Sequence, residues 1–188
     1  MVVDDVVQEI RDAVEAMAGS PYDGEPVDQL QHALQAAWHA REAGVEQDAV
    51  VAALLHDVAR SPHVAGIPYD GEREHHGETA ARWLEPRVGA RIAWLAESHV
   101  PAKRFLVATD PDYRAALTPV SLRTLAAQGG PMSPAEMADF KRHPDWELAV
   151  AVRRFDDLGK DPERAVPGVE AYVDDIAAAV SRRLREAG

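Results

Sequence analysis

His56 and Asp57, in the segment AALLHDVA, put an imidazole and a carboxylate side by side. The pair suits a divalent ion with mixed nitrogen and oxygen preference, such as iron, manganese or zinc. Adjacent helical residues point about 100° apart, so both reach one site only at a rim, such as a helix end. A solvated or capping pair would have the same sequence. Three further histidines change the balance: His32 starts the helix expected to pack against that of His56, His76 starts one in EREHHGETA, and His99 ends one in LAESHVPAKR. Asp156, in RRFDDLGK, can supply a closing carboxylate. Singly, His32 also reads as a core histidine bonded to a carbonyl, one of His75 and His76 as a surface residue, and Asp156-Asp157 as a solvated pair. Jointly, four histidines and two aspartates exceed the needs of one ion. They imply two ions with Asp57 bridging, able to share a substrate or a small molecule.

Helices must carry these residues. Val3, Val6, Val7, Ile10, Val14 and Met17 recur at helical spacing within Val2 to Met17. The loop GSPYDGEPVD follows, then helices over about Gln29 to Ala43 and Gln47 to Arg60, joined by a short turn at Gly44 that makes them antiparallel neighbours. SPHVAGIPYDGER reads as a loop. Further helices are expected from about His75 to Leu84 and Val88 to His99. Ser133-Pro134-Ala135-Glu136 is a capping box with Pro at the first helical position. Asp145 can cap a helix to about Asp157, and Pro167-Gly168 opens the last one. No β alternation is visible, so seven to nine helices are expected. PYDGE occurs twice, at Pro21 to Glu25 and Pro68 to Glu72, with flanks that do not match.

Composition narrows the function. A chain of 188 residues, 46% hydrophobic, fits one domain with a full core. Abundant Ala, Leu, Glu and Arg favour helix over sheet. A net charge of -12 argues against a nucleic-acid backbone as partner. Without cysteine there is no disulfide, zinc ribbon, iron–sulfur cluster or thiol nucleophile. The acidic, amphipathic start does not read as a secretory signal, and no apolar run approaches the roughly 20 residues of a membrane span. A cytoplasmic location without membrane contact is expected.

The stretches YDGEPVDQLQH, AALLHDVA, HHGETAARWL, SHVPAKRFLV, LRTLAAQGGPM and RRFDDLGK resemble the six-ligand, two-metal form of the HD-domain superfamily. Within it the chain is similar to the bacterial 2-amino-1-hydroxyethylphosphonate dioxygenases, and to relatives acting on the N-trimethylated substrate. The likeness runs from about Tyr22 to Lys160. The HD pair is unspecific; SHVPAKR followed by QGGPM and FDDLGK is much more specific.

The resemblance implies an all-α HD-domain helical bundle. Residues 1–188 would form a single domain, with a metal-binding core over about 22–160 and a C-terminal helix over about 167–187. It implies two iron ions in the mixed-valent Fe2+/Fe3+ state, held by His32, His56, Asp57, His76, His99 and Asp156, with O2 as co-substrate. Lys103 would contact the phosphonate, and Ser121, Gln128 and Arg153 would line the pocket. Tyr22 and Glu25 would form a lid, the tyrosine leaving an iron when substrate binds and Glu25 facing its ammonium. Tyr69 and Glu72 repeat that chemistry, but Tyr22 and Glu25 precede the first histidine ligand by the family's interval. Arg60 departs from the pattern, standing where the family type has a histidine. It keeps a positive donor near the substrate, and His63 lies close in sequence.

The activity so implied is cleavage of the carbon–phosphorus bond of a 1-hydroxy-2-aminoethylphosphonate or its trimethylammonio analogue, giving phosphate and glycine or glycine betaine. An upstream phosphonate hydroxylase would supply the substrate. The competing readings are an HD phosphohydrolase acting on a nucleotide or phosphate ester, and a non-catalytic helical binding domain with a vestigial metal site.

Overall fold

The structure is a computed structural model describing residues 2–22, 24–66 and 76–187. Tyr69, Glu72 and His75 lie outside the described residues. Every regular element described is helical, and the extended backbone is limited to an isolated bridge between Pro21 and Asp28.

The first half of the chain runs α1 (Val3–Glu15), α2 (Gln29–Glu42), α3 (Gln47–Leu55), a 3-10 turn (Val58–Arg60), α4 (Pro62–Ala65), α5 (His76–Val88) and α6 (Ala90–Glu97). Then come α7 (His99–Thr109), α8 (Pro111–Ala116), α9 (Pro119–Ala127), α10 (Pro134–Phe140) and α11 (Trp146–Leu158). A 3-10 turn (Val169–Tyr172) leads into α12 (Val173–Glu186). That makes twelve α-helices among the described residues, more than the seven to nine expected. The excess lies in α4 and in α7 to α9. Pro111 and Pro119 each open a helix behind a capping side chain, Asp110 and Thr118 respectively. That signal stands in the sequence.

Apolar spacing explains how the layers pack. α1 buries Val6, Val7, Ile10, Ala13 and Val14 and packs on α12, which returns Ile176, Ala179 and Val180 to the same core. Each branched side chain so buried contributes about 1.5–3 kcal/mol. α3 is apolar all round and lies at the centre, touching α2, α6, α11 and α12. α5 passes Pro86 and reaches Val88, because burying Leu84 and Val88 outweighs one missing backbone bond.

Three local expectations are corrected. The helix bearing His56 stops at Leu55 instead of running to Arg60: Asp57 leaves helical geometry at φ -104°, ψ 13° and a 3-10 turn follows. His99 begins α7 instead of ending α6. Asp145 makes no side-chain cap on α11, because its carboxylate is taken by Arg91 at 2.6 and 3.1 Å.

Candidate metal centre

Local chain geometry presents each imidazole. The capping box of Asp28 with Gln31 starts α2 and puts His32 in its first turn. His56 follows the last residue of α3 and His99 follows Ser98, the residue joining α6 to α7. Both use one device: the Nδ1–H turns back to the carbonyl three residues earlier, His56 to Ala53 at 2.8 Å and His99 to Ala96 at 2.6 Å. His32 donates its Nδ1–H to Gly159 O, just past α11, at 2.9 Å. A carbonyl oxygen only accepts, so each of these rings carries its proton on Nδ1 and a lone pair on Nε2.

Those lone pairs converge. Nε2 of His32 lies 3.0 Å from Nε2 of His56, and Nε2 of His76 lies 2.9 Å from Nε2 of His99. Asp57 stands between the pairs. Its Oδ2 is 4.0 and 3.8 Å from His32 and His56, and its Oδ1 is 3.4 and 3.9 Å from His76 and His99. Asp156 closes the first pair, with Oδ1 3.5 Å from His32 and Oδ2 3.8 Å from His56. The expected six residues therefore meet in two halves sharing Asp57, all buried.

The donor set fits a metal in each half. Lone pairs of His32 and His56 face each other with no proton to share, which is unfavourable without a cation between them. Two nitrogens at about 2.1 Å from one ion, at a right angle, would be about 3 Å apart, as these are. Asp57 Oδ1 is buried and accepts no hydrogen bond among the described residues. Burial lowers the pKa of His32 to about 4 against the pull of Asp156, and burial, reinforced by His76, lowers that of His99. Both rings stay neutral, as ligands must. Burial is the largest single influence on Asp57 and Asp156 and opposes their ionisation. Arg60 together with His56, His76 and His99 outweighs it at Asp57, and Arg153 together with His56, His32 and His99 outweighs it at Asp156, so both carboxyls sit well below the usual range.

The second half opens onto a polar cavity, while Tyr22 covers the first. The Tyr22 ring stacks on His32 at 3.9 Å and its hydroxyl donates to Asp156 Oδ1 at 3.3 Å. Its segment is pinched at the base: Gln29 N donates to Ser20 O and Gly19 N to Asp28 Oδ2, both at 2.9 Å. A turn from Tyr22 O to Glu25 N, with Gly24 at φ +86°, brings Glu25 to the cavity. There Thr118 Oγ1 donates to Glu25 Oε1 at 2.8 Å.

The comparisons with known proteins agree with this geometry. Residues 30–120 match the HD domain family. The chain is 37% identical to the [1-hydroxy-2-(trimethylamino)ethyl]phosphonate dioxygenase (glycine-betaine-forming) of Leisingera caerulea, over 78% of this chain and 76% of that protein. It is 35% identical to the hydroxymethylphosphonate dioxygenase of Gimesia maris, over 84% of this chain and 80% of that protein. An uncharacterised protein of Acanthamoeba polyphaga mimivirus is 32% identical over 88% of this chain and 78% of its own length.

The chain belongs to the HD-domain dioxygenases.

In this HD-domain dioxygenase the cavity wall is cationic. α7 carries Lys103 one turn after His99, buried, with Nζ donating to Thr124 Oγ1 at 2.6 Å and Gln128 Oε1 at 3.2 Å. α11 carries Arg153, which donates to Asp156 at 2.6 Å and also holds Asp157. Arg60 lines the cavity with its Nε 3.2 Å from Asp57 Oδ1. Ser121 and Gln128 line it as expected; His63 is exposed on α4 and does not. Thr118 and Tyr113 lie outside the matching stretches, while Thr124 in LRTLAAQGGPM and Lys160 in RRFDDLGK lie inside them with no role attached. Thr118 caps α9 and Thr124 lies one turn past Ser121 on it. Tyr113 had no signal at all; its hydroxyl donates to Asp157 at 2.6 Å and accepts from Arg153 at 3.0 Å.

Proposed function

We infer that this dioxygenase carries two iron ions and uses O2 to cleave the carbon–phosphorus bond of a 1-hydroxyphosphonate. The observation that carries the reading is Asp57, its two oxygens facing separate histidine pairs, beside a cavity whose wall presents Lys103, Arg153 and Arg60. His32, His56, Asp57 and Asp156 would hold one ion, and Asp57, His76 and His99 the other. Mixed-valent iron supplies oxygen binding and the electron transfer that side chains cannot.

The residues do the rest. Lys103, Arg153 and Arg60 hold the phosphonate by charge-assisted bonds, with Ser121 and Gln128 adding neutral ones. Glu25 receives a cationic group at the far end, and full methylation leaves that charge in place. The substrate is thus a 1-hydroxy-2-aminoethylphosphonate or its trimethylammonio analogue. Tyr22 covers the first half at rest and withdraws as substrate enters, which limits oxygen reduction without substrate. The balance is R–CH(OH)–PO3(2-) + O2 → R–CO2(-) + HPO4(2-) + H+. The C–H and C–P bonds give up four electrons and both oxygen atoms leave in products, as glycine or glycine betaine and phosphate. An upstream hydroxylase must supply the C1 hydroxyl.

The test is anaerobic loading with ferrous iron, then oxygen uptake and phosphate release with the two substrates. One O2 consumed per phosphate is expected. Phosphate release without oxygen refutes the reading in favour of hydrolysis.

A further inference from the structure

Glu25 already has a cation beside it. Lys160, just beyond α11, places Nζ 3.7 Å from Glu25 Oε1, and the two side chains are only 14% and 11% exposed. The same ammonium donates to Ser121 Oγ at 3.3 Å, lies 3.8 Å from Asp157 Oδ1 and stands 6.0 Å above the Tyr22 ring. Lys160 therefore joins both lid residues to the cavity wall. A carboxylate as enclosed as Glu25 needs a counter-ion, and Lys160 is the cation that the structure gives it.

We propose that Lys160 is the resident counter-ion of Glu25, exchanged when a zwitterionic substrate binds, and that this exchange selects phosphonates carrying a cation. The inference rests on the functional reading above. The incoming ammonium takes the place of Lys160 at Glu25. Lys160, already bonded to Ser121 in the phosphonate wall, then turns its charge to the phosphonate. One internal ion pair is replaced by two pairs with the ligand, and neither Glu25 nor Lys160 is left bare. A phosphonate without a cationic tail cannot complete the exchange: drawing Lys160 to its oxygens strands Glu25. Lys160 is thus a specificity-determining residue, through a difference between two ligands more than through total affinity.

The experiment compares [1-hydroxy-2-(trimethylamino)ethyl]phosphonate with hydroxymethylphosphonate on iron-loaded wild type, Lys160→Met and Glu25→Gln. Equilibrium binding is measured by anaerobic calorimetry and kcat/KM by phosphate release, with metal content as a control for folding. In Lys160→Met the bare Glu25 still accepts the trimethylammonium but repels the anion without one, so the preference for the zwitterion rises about tenfold. In Glu25→Gln Lys160 is free for either phosphonate, and the preference falls about tenfold. A residue that only supports the wall would weaken both ligands by the same factor. A preference within about threefold of wild type in either variant overturns the inference, whatever the absolute affinities. If wild type binds neither compound, the functional reading fails and this inference with it; if it binds both and the preference does not move, only this inference fails.

Discussion

Gly159→Ala should damage the metal centre without altering any ligand. Gly159 sits at φ -78°, ψ 43°, which alanine adopts without backbone strain, so the effect is one of space. An added Cβ would lie 2.8 Å from His32 O, 3.0 Å from His32 Nδ1 and 3.3 Å from Ala36 N. Two of these are backbone atoms of α2 and cannot give way. The chain past α11 must back off, stretching the 2.9 Å bond from His32 Nδ1 to Gly159 O. Overpacking costs about 2 kcal/mol, and the lost hydrogen bond about 1 kcal/mol. For a chain this size the sum of about 3 kcal/mol lowers Tm by about 9 °C. Freed from its carbonyl, His32 should lose about 10- to 100-fold in affinity for the ion it shares with His56. Calorimetric melting of the metal-free protein and anaerobic ferrous titration against a chelator measure the two effects. Gly168→Ala is the control, since its closest contact is the flexible Glu170 carboxylate. A Gly159→Ala protein melting within about 2 °C of wild type, and binding two ions with unchanged affinity, would refute the reasoning.

Asp57→Asn should leave at most one ion per chain by elemental analysis; two retained ions would remove its bridging role. Tyr22→Phe keeps its metals but loses the bond to Asp156, so it should consume oxygen faster without substrate; unchanged background uptake and unchanged substrate-triggered kinetics would end the lid assignment. Burial, followed by the charge of Arg153, lowers the pKa of Lys103 to about 8 from an ordinary 10.5. Between those values the unfolded chain binds more protons, so the contribution of Lys103 to stability rises with pH across that window. Phosphonate capture has the opposite sign because it needs the ammonium: kcat/KM should fall above about pH 8, and Lys103→Arg should carry that fall to higher pH. An identical profile in the variant would assign the limb elsewhere.

Much of the centre was legible because its chemistry resides in residue type. Imidazole and carboxylate at His32, His56, Asp57, His76, His99 and Asp156 have few uses in combination, and all six meet. The start of α10 is legible in its capping box, a contiguous signal. The break after Leu55 was not legible, because an apolar run does not say where helical dihedrals stop. The pairing of Asp145 with Arg91 was not legible either: a capping carboxylate and an ion-paired one look alike in sequence, and 54 residues separate the partners. Lys160 escaped for the same reason. It stands inside RRFDDLGK, but its meaning comes from Glu25, 3.7 Å away in space and far from it along the chain.

The backbone carbonyls that hold His32, His56 and His99 bear on metal supply. Rings fixed before any ion arrives cannot choose a metal by folding around it. A rigid set of imidazoles and carboxylates ranks divalent ions by intrinsic affinity, with zinc and copper above iron and manganese. The ion that fills such a centre is then set by which one the cell leaves free when the chain folds, and zinc limitation during expression becomes as consequential for activity as any side chain lining the cavity.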